Sequence, residues 1–148
     1  MSGRWCDKRD IRLRGFKAKI NFDFAVFLFI HAFAHGVGFL TVSGIVKDPD
    51  TPSEPSFLLT GFDMNHWVFK VMSVFWLIAL VGFVVAGLGV INEKDWARSA
   101  IIAATVLSTA LSLIWVKSAP FGLVANAIVI AVLVIPWTAD RMVPPIEV

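Results

Sequence analysis

Polar and apolar positions are segregated along this chain in whole blocks. Four apolar blocks, over about 22–46, 66–91, 97–116 and 120–135, are set apart by polar stretches rich in Pro, Asp and Lys. A helix needs about 20 apolar residues to cross a bilayer. The pattern therefore predicts an all-α fold, a membrane four-helix bundle occupying 22–137, flanked by a basic segment (1–21) and a short tail (138–148).

The first block reaches about 37 Å at the helical rise per residue, enough to cross with some tilt. Set out at 100° per residue, it separates two faces. His31, His35, Gly38, Ala34, Phe24 and Val42 gather on one side, which reads as the inward face. Val26, Phe29, Ile30, Phe33, Val37 and Leu40 gather on the other, which reads as the lipid face. Two of the chain's three histidines thus sit one turn apart inside an apolar span. A titratable pair at bilayer depth is costly and by default marks a functional site. The small residues beside them let a second helix or a ligand come close.

Between the first two blocks, Pro49, Pro52 and Pro55 break regular structure, and Asp63 or Asn65 is the expected N-cap of the second helix. Trp67 is its interfacial anchor, and Lys70 can snorkel outward. Ala79, Gly82, Ala86 and Gly89 form a small-residue stripe expected to serve helix packing. A tight turn at 92–96 leads to the third helix. There Thr105, Ser108, Thr109 and Ser112 share one face, and their hydroxyls either back-bond their own helix or face a site. The fourth helix opens at Pro120 and is expected to end before Pro136. Its one strongly polar interior residue, Asn126, must find a partner inside the bundle.

Composition sharpens this picture. The chain is 57% hydrophobic and 16% charged, against about 25% charged in soluble domains. The net charge of +2 hides a segregation. Arg4, Lys8, Arg9, Arg12, Arg14, Lys17, Lys19, Lys94, Arg98 and Arg141 fall on one side of a four-span layout, and only Lys47, Lys70 and Lys117 fall on the other. That asymmetry predicts both termini in the cytoplasm and insertion in the cell (inner) membrane, with anionic lipid headgroups drawn to the N-terminal segment. A basic run this short, abutting a span, does not read as nucleic-acid binding. The first apolar run is too long for the core of a signal peptide. The single Cys6 excludes an internal disulfide, and the lack of Tyr removes phenol chemistry.

The candidate chemistry lies in the polar interior: His31, His35, Gly38, Thr105, Thr109, Ser112 and Asn126 are the candidate ligand-binding residues. No catalytic residue stands out, and neither a P-loop nor an H-E-x-x-H occurs. Histidines at i and i+4 can share a metal, but the spans offer few further ligands. They lie on one side of one helix, so they cannot clamp opposite faces of one haem; a single axial histidine or a haem shared between subunits stays open. A quinone asks only for an apolar cleft with a few donors. The bland alternative is a lock, with the histidines bonded to Thr109, Ser112 or Asn126.

The marks His31-x-x-x-His35-x-x-Gly38-Phe39, Leu58-Leu59-Thr60-Gly61, the run from Trp76 to Gly87, and Phe121-Gly122-Leu123-Val124-Ala125-Asn126 resemble the DoxX-like family of small four-span membrane proteins. The resemblance covers about 22–136. It implies a four-helix bundle associated with membrane redox systems or partner redox enzymes. Many DoxX-like chains carry an acidic residue near the place of Asn126, so proton chemistry does not transfer to this position. The resulting expectation is an auxiliary or structural subunit beside a larger membrane (redox) complex, or a homo-oligomer, without enzymatic activity of its own. The alternative expectation is a quinone-, haem- or metal-binding protein built on the histidine pair.

Overall fold

A computed structural model describes the backbone of residues 8–46, 67–117 and 119–142, and the side chains of 21–46, 67–117 and 119–135. It consists of four helices, α1 (Lys8–Val42), α2 (Trp67–Ile91), α3 (Ala97–Ile114) and α4 (Pro120–Met142), with no strand among the described residues. The apolar part of α1 (Asn21–Val42), α2 and α3 are each long and apolar enough to cross a membrane. The chain is a membrane protein. The apolar part of α4, Pro120–Ile135, is shorter and reaches about 24 Å.

Two helices run further than the apolar pattern suggests. The basic segment from Lys8 onward is the opening of α1 and not a separate element. The run Lys17-Ala18-Lys19-Ile20-Asn21 holds no Gly or Pro to stop the helix before the apolar stretch begins. At the other end, α4 continues past Pro136 to Met142. Proline removes one backbone bond to the preceding turn but does not force an end in a membrane helix. By contrast α1 stops at Val42, short of Val46. Gly44 adopts φ +76° and donates to the Thr41 carbonyl at 3.1 Å, closing the helix with the left-handed residue that glycine takes without strain. The expected caps Asp63 and Asn65 lie outside the described residues, as do the Leu58–Gly61 marks and His66.

Successive helices pack side by side, α1 on α2, α2 on α3 and α3 on α4, while α4 touches α1 only sparingly. Glycines of α2 make tight approaches, Gly82 from the small-residue stripe and Gly87 beside it. A Cβ on Gly82 would lie 3.2 Å from that of Ala104, and one on Gly87 would lie 2.8 Å from the Phe29 ring. Two apolar clusters fill the interior. One joins Leu28, Ala32, Phe83, Ala86, Ile101, Ala104 and Val129. The other joins Val42, Phe69, Trp76, Ala79, Leu111 and Trp115.

The faces of α1 need two corrections. Ala34 is exposed and does not share the inward face with the histidines. Phe29, expected to face lipid, is half-buried because Gly87 leaves room for its ring. Ile30, Phe33 and Val37 are exposed and Val42 is buried, as the angular reading expects.

Candidate functional site

The α1 and α3 backbones do not approach closely; polar side chains bridge them instead. From α1, His31 and His35 project one turn apart. Ser108 comes from α3 and Asn126 from α4, and all four residues are buried. The His31 Nε2 lies 2.9 Å from the Asn126 Oδ1. Ser108 donates its hydroxyl proton to the same Oδ1 at 2.9 Å. The His35 Nε2 lies 2.9 Å from the Ser108 Oγ, and the His31 Nε2 lies 3.4 Å from it.

Proton counting follows from these bonds. Ser108 has one hydroxyl proton, spent on Asn126, so its oxygen accepts from His35. The Asn126 Oδ1 can only accept, so His31 donates to it. Both imidazoles therefore carry a proton on Nε2. A low-dielectric interior penalises net charge and so favours the neutral rings, in which Nδ1 is an acceptor.

Aromatic rings fix the orientation of both histidines. Phe83 meets His31 edge-on with ring centres 4.6 Å apart and stacks on His35 at 5.5 Å. Trp76 lies tilted against His35 at 5.1 Å and edge-on to Trp115 at 5.9 Å. Gly38 gives Trp76 its place, since a Cβ there would run into the indole.

The other candidate residues are placed differently. The Thr105 hydroxyl donates to the Ile101 carbonyl and that of Thr109 to the Thr105 carbonyl, both at 2.7 Å, so each bonds its own helix. Ser112 is buried beside Gly122, where a Cβ would approach its Oγ to 2.6 Å. Ser108, a member of the hydroxyl stripe but not among the candidates named from sequence, is the hub of the network. Its signal was its spacing: Thr105, Ser108 and Ser112 repeat at i, i+3 and i+7, the stripe that α3 buries, while Thr109 falls at the edge. Phe83 and Trp76 gave no such signal, because their type matches any lipid-facing aromatic.

Four polar atoms are enclosed without a hydrogen-bond partner among the described residues: His35 Nδ1, Trp76 Nε1, Ser112 Oγ and Asn126 Nδ2. Leaving such a group unpaired costs about 1–3 kcal/mol. For metals, no group of three or more His, Cys, Asp or Glu gathers among the described residues. Ligation of a metal or haem iron through either Nε2 would break a bond of the network.

Comparison with protein-family models, curated proteins and solved structures finds no match to this chain.

Proposed function

We propose that the protein is a small multi-pass membrane subunit that docks beside a larger membrane complex of redox type, in the manner of the DoxX-like proteins it resembles. One observation carries this reading. The interior polar groups turn on one another, His31 to Asn126 and His35 to Ser108, and so tie three helices into one body. Interhelical bonds of this kind hold membrane bundles together, with van der Waals packing at small residues. Outside this lock the helices present apolar side chains. Among the described side chains of α4 only Asn126 and Val129 are fully buried, while Phe121, Val124, Ile128, Ile130 and Val132 are exposed. Such a helix offers a broad apolar surface to lipid and to neighbouring spans.

The layout in this reading has four spans in the cell membrane, with both termini in the cytoplasm. It is supported by the placement of the basic residues, with anionic headgroups facing the N-terminal part of α1. The redox character rests on the resemblance alone.

Extraction of the native protein in mild detergent, followed by identification of the co-purifying chains, tests the reading. A stoichiometric membrane partner with a redox centre is expected. A chain that always migrates alone overturns it.

A further inference from the structure

The helix α1 runs unbroken from Lys8 to Val42, while the apolar stretch able to cross the membrane starts only at Asn21. Sharp kinks arise at Pro, at Gly/Ser pairs or at π-bulges. Between Lys8 and Asn21 the backbone is α-helical throughout, with neither Pro nor Ser. A helix continuous with a span leaves the membrane along the axis of that span and does not fold onto its surface.

Height along that axis divides the basic residues into two groups. At the helical rise, Lys19 and Lys17 stand about 3 and 6 Å beyond Asn21. Arg14, Arg12, Arg9 and Lys8 stand about 10, 14, 18 and 20 Å beyond it. A tilt of about 20° shortens these heights by less than about a tenth. The headgroup layer is about 5–8 Å deep on each side of the hydrocarbon core. Positions 17 and 19 therefore fall at the level of the lipid phosphates, whereas the other four cations rise past it. Against those four stands one acid, Asp10.

Their arrangement selects the kind of partner. Set out at 100° per residue, Lys8, Arg12, Arg9 and Arg14 fall at about 0°, 40°, 100° and 240°. They do not form one stripe, and Ile11 and Leu13 are interleaved with them in sequence. A phosphate backbone is matched by cations gathered on one face. A protein surface supplies carboxylates and apolar area together, which suits a segment that mixes cations with Ile and Leu.

We propose that residues 8–14 form a docking element for an acidic protein surface, held clear of the lipid by the continuity of α1, with positions 17 and 19 left to the headgroups. The proposal rests on the subunit reading and gives its docking a place and a chemistry. Its test needs no native partner, so the two fail separately.

The test uses the full chain in nanodiscs, made either of phosphatidylcholine alone or with added phosphatidylglycerol. In a Cys6→Ser background, a spin label is placed at Ile11→Cys or at Ile20→Cys. The label at 11 should be reached by a water-soluble relaxation agent equally in both discs, while the label at 20 is shielded. A label at 11 that becomes shielded, with or without the anionic lipid, means the segment lies on the membrane and overturns the proposal. The second arm measures binding of a fluorescent peptide of Glu and Leu to phosphatidylcholine discs. Joint Arg9→Gln, Arg12→Gln and Arg14→Gln should weaken it about tenfold, and joint Lys17→Gln and Lys19→Gln by less than about twofold. Equal losses in the two variants, no loss in the first, or tighter binding of an oligouridylate than of the peptide each overturn it.

Discussion

His31 Nε2 and Asn126 Oδ1 meet at 2.9 Å across 95 positions of sequence, and this contact joins α4 to α1 where their backbones hardly touch. The bond does more than fill a gap. It sets the tautomer of His31, and it shares the Asn126 oxygen with Ser108. A double-mutant cycle with His31→Phe and Asn126→Leu should give a coupling of about 0.6 kcal/mol, rising towards ~1.7 if the network is cooperative. Denaturant titration of the four proteins in mixed micelles measures it. Additive losses would show that the two residues act separately.

Ser108 and Thr109 are neighbours with opposite expectations. Ser108→Ala leaves His35 and Asn126 short of a partner, so it should cost about 1–3 kcal/mol. Thr109→Ala removes a hydroxyl that bonds only the Thr105 carbonyl, and the change should stay within about 0.5 kcal/mol. The same titration compares them, and equal losses would remove Ser108 from the hub.

Two glycines near the end of α1 differ in why they are glycine. At Gly38 an added Cβ meets the Trp76 indole, which His35 and Trp115 hold in place. Gly38→Ala should lose about 1–3 kcal/mol through overpacking and shift Trp76 fluorescence. At Gly44 nothing lies within 4 Å, but φ is +76°. Gly44→Ala should lose about 1–2 kcal/mol through backbone strain and leave the tryptophan signal unchanged.

Val106 lies midway along α3 and is 66% exposed. In a bilayer that position faces lipid or another chain. Val106→Arg should raise the insertion cost of the helix by about 2.5–3.5 kcal/mol. A translocon insertion assay with glycosylation reporters reads the change directly. Unchanged insertion would place this face against water.

The helices and most of the lipid face were legible in the sequence because both follow from local rules. An apolar block of about 20 residues must satisfy its backbone internally, and angular position separates Ile30, Phe33 and Val37 from His31 and His35. The ends were less legible. Nothing between Lys17 and Asn21 breaks the helix, so α1 absorbs the basic segment, and Pro136 does not end α4. Ala34 and Phe29 departed from the angular reading. Helix packing follows the contact geometry at Gly87, and an idealised wheel has no knowledge of the neighbour.

What the sequence determined by itself was the class of protein and the inward placement of its polar residues: four helices, a histidine pair, a hydroxyl stripe and one asparagine. Which of these meet was decided only by the tertiary structure. The hydroxyls of Thr105, Ser108 and Thr109 differ by one methyl group, and in isolation any of them can bond the preceding turn. Two do so, at 2.7 Å. Ser108 instead reaches His35 and Asn126, because at its position α1 and α4 bring polar atoms within 2.9 Å. The proton positions on both histidines follow from that meeting.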